Sequence, residues 1–196
     1  MKEKMIQWYN ESLEKYGPGD FRSLTWADAE GTSAYKRYQQ MNEVCSFEDN
    51  TIIEVGCGWG SFFDFGFTAE KYVGYDINEK FIKIAKEKHP NHNFFVLDVS
   101  EEISPVVADL VICSGVAGNQ GGPADHPLKL KKFLKDLSEM GDTVLVNFPS
   151  SWSTIRAKNI EYFSPESVLS AALDITPNVT LYHKSMADFL IKMELS

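Results

Sequence analysis

Cysteine is scarce in this chain: three residues, Cys45, Cys57 and Cys113, in a length of 196. They are too few and too scattered for a disulfide framework, and without a Cys-x-x-Cys pair they give no sign of a metal site. Also missing is any run near the ~18 apolar residues that a membrane span requires. The start, Met-Lys-Glu-Lys-Met-Ile-Gln-Trp, lacks the apolar centre of a signal peptide, so a cytoplasmic location without a membrane partner is expected. Basic residues are in deficit, 19 against 28 acidic ones, for a net charge of −9. A surface of that sign repels phosphate backbones and argues against nucleic acid as the partner. No repeat, low-complexity tract or Pro/Gly-rich linker divides the chain, which leaves residues 1–196 as one domain with enough apolar residues, 43%, for a full core.

What is present is a change of texture near residue 50. Upstream, Ile6, Trp8, Tyr9 and Leu13 form a loose apolar stripe that predicts a helix over 3–15, ended by Gly17-Pro18-Gly19-Asp20. Tyr35, Tyr38 and Met41, three apart, predict a second helix from about Ser33. Downstream, short β-branched or aromatic runs at 51–55, 71–75, 93–97, 108–113 and 143–148 read as strands buried on both faces. Helices are expected between them at 61–68, 78–88 with Asn78 as N-cap, and 127–140 with Pro127 in the first turn, followed by one near 165–173. Such alternation implies a parallel sheet with helices on both faces. Runs at 179–184 and 189–194 are separated by a link too short for a parallel crossover, so they form an antiparallel hairpin at the edge. The fold class is therefore α/β, a doubly wound Rossmann-like sheet, with residues 1–48 as an N-terminal helical flap and 49–196 as the core.

The chemistry concentrates in Glu54-Val55-Gly56-Cys57-Gly58-Trp59-Gly60, a buried strand running into a turn with three alternate glycines and then a helix. Glycines there let the backbone approach a ligand at the carboxyl end of a central strand. Asp76 ends the second strand, 22 residues beyond Glu54, near the spacing of a carboxylate that binds ribose hydroxyls. Asp98 ends the third. A nicotinamide dinucleotide calls for Gly-x-Gly-x-x-Gly, but Ser61 stands where its third glycine belongs and Gly60 comes one residue early. Glu54, expected at the entrance of the turn, is a poor neighbour for pyrophosphate and a good one for a cation. The ligand implied is a positively charged nucleoside without phosphates.

In these residues the sequence resembles the class I S-adenosylmethionine-dependent methyltransferases over roughly residues 50–196. The resemblance implies S-adenosyl-L-methionine as cofactor, no metal, and a seven-stranded sheet of order 3-2-1-4-5-7-6 with one antiparallel strand. It implies that the turn Glu54, Gly56, Cys57, Gly58, Gly60 holds the amino-acid end of the cofactor. Asp76 would then grip the ribose, Asp98 with Val99 would face the adenine, and Ile77 and Ser114 would complete the cofactor-binding set. Upstream, Tyr16-Gly17, Trp26 and Arg37-Tyr38 resemble a pattern in small bacterial members without an assigned substrate, which adds Trp26 and Arg37 on the cofactor side, Arg37 as a partner for the cofactor carboxylate.

The acceptor is less legible. Methyltransferases of DNA or RNA bases carry Asn/Asp-Pro-Pro-aromatic after the fourth strand, where this chain has Ser114-Gly115-Val116-Ala117-Gly118-Asn119. The similar string Asn147-Phe148-Pro149-Ser150 follows the fifth strand instead. A small-molecule methyl acceptor is the favoured reading, with a protein or nucleic-acid substrate, or a non-catalytic cofactor-binding protein, as the alternatives. Seven aromatic residues fall in the first 40, against eighteen in the remaining 156, and they either close over the acceptor or pack the helices on the sheet. His126 is the first choice of general base and His183 the second, while Asn119 is placed to orient the acceptor. His89 and His92 are expected in a solvated turn.

Overall fold

A computed structural model describes residues 2–102, 104–118, 126–157 and 160–195. Helix α1 (Lys2–Tyr16), a 3-10 turn (Phe21–Leu24) and α2 (Thr32–Val44) precede β1 (Thr51–Val55). Then come α3 (Ser61–Asp64), β2 (Lys71–Asp76), α4 (Glu79–Lys88), β3 (Asn93–Val96) and β4 (Ala108–Cys113). Helix α5 (Pro127–Ser138), β5 (Gly141–Pro149), α6 (Pro165–Leu173), β6 (Val179–Tyr182) and β7 (Asp188–Glu194) complete the chain. The seven strands form one sheet of order β3-β2-β1-β4-β5-β7-β6, parallel except for β7, which runs antiparallel to both neighbours.

Side chains of a strand alternate between faces, and both faces here are apolar, so two cores form. Ile53, Val55, Val111, Val144 and Val146 meet Leu130, Leu134 and Leu137 of α5 and Val168 and Ala172 of α6. On the other face Ile52, Leu110, Ile112 and Leu145 meet Tyr38 and Met41 of α2, Phe62 of α3, and Ile82 and Ala85 of α4. Glu54 belongs by parity to this second face, although it carries a carboxylate.

Most elements differ from the expected bounds by no more than one or two residues, and two of the departures have a clear local cause. The helix expected over 61–68 stops at Asp64, because Gly66 takes φ +79° and the Phe67 and Gly66 N–H groups bond back to the carbonyls of Phe62 and Phe63. That 6→1 and 5→2 pair is a Schellman stop, which a glycine permits. Strand β5 extends to Pro149 rather than ending at 148, since it pairs with β7 from Thr143–Glu194 to Pro149–Asp188.

Candidate active site

A cavity of about 470 Å³ opens at the carboxyl ends of β1, β2 and β4, where parallel α/β sheets place ligands and within the usual ~300–1,000 Å³ of small-molecule sites. Its wall contains Gly56, Cys57 and Gly58 of the glycine turn, Asp76 and Ile77 after β2, Asp98 and Val99 after β3, and Ser114 after β4. Trp26, between the 3-10 turn and α2, joins them.

The glycine turn is fixed by β2. The N–H groups of Gly56 and Cys57 both donate to the carbonyl of Tyr75, at 2.7 and 3.0 Å, and the Gly58 N–H donates to Asp76 Oδ2 at 2.9 Å. Gly56 has φ +79°, and a Cβ on it would fall 2.2 Å from Val116 Cγ2, so both conformation and space demand glycine. The other Asp76 oxygen accepts from the Asn78 N–H at 2.8 Å. Burial pushes the Asp76 carboxyl up to about 6, against the opposing pull of the Asn78, Gly58 and Ile77 backbone N–H groups. Asn78 caps α4 through its side chain, as the sequence indicated, by accepting from the Lys80 N–H at 3.0 Å.

Asp98 accepts from the Ser100 N–H and hydroxyl at 3.0 and 2.6 Å and pairs with Lys2 Nζ at 2.7 Å. Burial raises its pKa, but Lys2 and Ser100 outweigh that and hold the carboxyl below its usual range. Lys2 begins α1, whose Met5 and Tyr9 also line the cavity. An N-terminal segment over the site is what the aromatic enrichment suggested, but the Lys2 pairing has no sequence signal. A lysine opposite an acid 96 positions away leaves no local pattern.

Glu54 lies elsewhere than expected. It is fully buried on the α2 face of β1, not at the entrance of the turn, and it is absent from the cavity wall. The hydroxyls of Tyr38 and Tyr72 each donate to one of its oxygens, and of the three only Tyr38 reaches the wall, beside Ser61. Burial pushes the Glu54 carboxyl up to about 7, although both tyrosines pull it down. Gly60 likewise stands off the wall, facing His89 and Phe94. Arg37 is bound by Asp188 and stacks on Trp26.

The acceptor-side expectations fare differently. His126 is the exposed N-cap of α5 and does not contribute to the cavity wall. Asn119 lies outside the described residues. His183 sits between Trp152 and Phe189, with ring centroids 4.8 and 5.8 Å away, and is also off the wall. In the turn after α4, His92 is exposed as expected and stacks on Phe63 at 3.7 Å, whereas the His89 side chain is only 14% exposed, with Nε2 3.2 Å from Asp64. At the wall, the Ser114 hydroxyl is buried with no hydrogen-bond partner among the described residues. A buried polar group in that state calls for a partner, and a ligand supplies one.

Residues 53–138 match the family described as a methyltransferase domain. Together with the sheet order and the glycine turn, this match over less than half of the chain goes with a Rossmann-like fold of the class I methyltransferase type. No curated protein matches it in sequence. Among solved structures, it is similar to magnesium protoporphyrin IX methyltransferase of Synechocystis PCC 6803 with bound SAH, with a TM-score of 0.71 at 12% identity over 100% of this chain and 99% of that one. It is similar to DhpI in a complex with SAH, with a TM-score of 0.69 at 12% identity over 97% and 95% of the two chains. The small RNA methyltransferase HEN1 shares the fold too, with a TM-score of 0.62 at 13% identity over 83% of this chain and 25% of that one. Likeness at these identities extends to the fold and leaves the acceptor open. No helix among the described residues is long and apolar enough to cross a membrane.

Proposed function

We propose that the cavity binds S-adenosylmethionine and that the protein transfers its methyl group to a small-molecule acceptor. The observation that carries this reading is one wall on which the glycine turn, the Asp76 and Asp98 carboxylates and the unpartnered Ser114 hydroxyl meet. That donor and acceptor set fits a nucleoside with a polar amino-acid arm. The cofactor supplies a methyl group on a cationic sulfur, already activated for in-line displacement. Asp76 accepts from the ribose hydroxyls, Asp98 and Val99 bound the adenine, and the turn with Ser114 holds the amino-acid end. Leu24, Trp26, Tyr38 and Phe133 line the cavity with apolar surface and exclude water.

Catalysis on this reading comes from alignment and desolvation. No histidine contributes to the wall among the described residues, so the base role foreseen for His126 has no geometric support. A small acceptor is favoured because α1 and the 3-10 turn add Lys2, Met5, Tyr9 and Leu24 to the cavity wall, so the N-terminal segment lines the site together with the strand ends. Three unpaired cysteines, two of them buried, support a reducing, cytoplasmic setting.

Calorimetry with S-adenosylmethionine, S-adenosylhomocysteine and NADH tests the cofactor. Binding of the first two and not the third is expected, and binding of NADH alone sinks the assignment. Mass spectrometry of methylated products across a metabolite panel, with RNA and peptide arms, then tests the acceptor class. Methyl transfer to RNA or peptide alone overturns the small-molecule reading.

A further inference from the structure

The carboxylate of Glu54 is completely buried and has no cationic partner among the described residues. A buried acid without a counter-ion is costly, and two tyrosine donors offset only part of that cost. The two donors differ in position. Tyr72 is enclosed in the core, whereas Tyr38 presents to the cavity. Tyr38, which donates to Glu54 and lies on the cavity wall beside Ser61, is therefore the side chain that joins this carboxylate to the cavity.

We propose that Glu54, acting through Tyr38, is the counter-charge by which this site prefers the sulfonium cofactor to its neutral demethylated product. This rests on the cofactor reading above and deepens it. Glu54 is a positioning residue, since it touches neither ligand. The device favours loading of the charged molecule and weakens the hold on the product once the charge has gone, with no change in shape required.

The groups around Glu54 decide how the preference varies with pH. Tyr38 faces it from α2, Tyr72 and Asp76 from β2, Cys57 from the glycine turn and Cys113 from β4, while Ser61 of α3 touches Tyr38 at 3.4 Å. Burial drives all three of the tyrosine and cysteine shifts at Tyr38, Tyr72 and Cys57 upward, so these groups stay neutral through the physiological range. Asp76 also titrates and its charge acts on the sulfonium, but it is retained in Glu54→Gln, so division by that variant's ratio removes its direct contribution. Glu54, raised by burial to about 7, is neutral in acid and charged in mild alkali. Preference for the sulfonium should therefore appear as pH rises.

The test is calorimetric Kd for S-adenosylmethionine and S-adenosylhomocysteine on the intact protein between pH 6 and pH 8.5, approximate limits chosen to span the Glu54 titration. Relative to Glu54→Gln, in which the ionisations of the ligands themselves are retained, the wild-type ratio of product Kd to cofactor Kd should rise on the order of tenfold across that range, the effect of a charge one side chain away at an effective dielectric of about 20. Equal pH profiles in wild type and Glu54→Gln overturn the inference while leaving the cofactor reading intact. Failure of both ligands to bind at any pH overturns the cofactor reading itself. Tyr72→Phe, off the cavity wall, serves if Glu54→Gln does not fold. Loss of one donor should move the inflection of the ratio to higher pH, and an unmoved inflection counts against the proposal.

Discussion

Arg37 and Asp188 form a two-pronged ion pair that ties α2 to the start of β7. Nε lies 3.0 Å from Oδ2 and Nη2 lies 2.8 Å from Oδ1, and the guanidinium stacks on Trp26 at 4.5 Å. Trp26 in turn closes on Gly115, where an added Cβ would sit 3.0 Å from the indole. The pair thus holds the N-terminal segment against the ends of β4, β5 and β7. It also changes what is asked of Arg37. To meet the cofactor carboxylate, Arg37 must share or leave Asp188.

With side chains only 17% and 23% exposed, this pair should contribute more than an ordinary surface contact. Arg37→Ala and Asp188→Ala are each expected to destabilise the protein by about 1–2 kcal/mol, with a coupling energy of about 1 kcal/mol, near or above the top of the range for exposed pairs. Urea unfolding of wild type, both single variants and the double variant measures it. A coupling near zero would show that the two side chains act independently.

Gly56→Ala meets two obstacles. The backbone sits at φ +79°, and the new methyl would lie 2.2 Å from Val116 Cγ2. Left-handed strain alone costs about 1–2 kcal/mol for a residue with a Cβ, and the clash adds to it. The single variant should unfold at lower urea and bind S-adenosylhomocysteine weakly. Adding Val116→Ala should recover part of the stability, since it removes the clash and not the strain. Full recovery in the double variant would contradict the backbone argument.

Asp76 carries its own pH signature. Burial lifts its carboxyl to about 6, and only the ionised form can accept from two hydroxyls with both oxygens. Affinity for S-adenosylhomocysteine should hold above pH 7 and fall as pH drops through about 6. Asp76→Asn should weaken binding on the order of tenfold or more and flatten that fall. Calorimetry at three pH values distinguishes this from a general acid loosening, which would affect both proteins alike.

Much of this site was legible because it lies on strand ends, where side-chain parity and short turns leave little freedom. Asp76, Asp98 and the turn at Gly56–Gly58 meet because β1, β2 and β3 are neighbours, and strand alternation implies that much. Glu54 shows the limit. Its acidity suggested a ligand contact, yet parity places it with Ile52 on the α2 face, where Tyr72, opposite Ile52 in the register, reaches it. The Lys2–Asp98 and Arg37–Asp188 pairs join positions 96 and 151 residues apart, and no local period encodes such contacts. His126 was chosen for its nearness in sequence to the loop after β4. It is instead Lys129, Lys132, Phe133 and Asp136 of α5 that line the cavity, while His126 stands in solvent as the N-cap of the helix.

Glu54 should also be visible in the stability of the ligand-free protein. Its folded pKa, about 7, lies above the 4.5 of the unfolded chain, so the native state keeps a proton that the unfolded state releases. The stabilisation from this difference is fully present below pH ~4.5 and is lost as pH rises through about 7. At 1.36 kcal/mol per unit the loss is roughly 3 kcal/mol. Asp76, lifted from 3.8 to about 6, acts in the same direction over a lower window. Glu54→Gln removes the first contribution and leaves the second. Between pH ~5 and ~8 wild type should therefore lose more stability than the variant, by about 2–3 kcal/mol in urea unfolding. Equal losses would mean that Glu54 is ionised across that range and that its two tyrosine donors outweigh its burial.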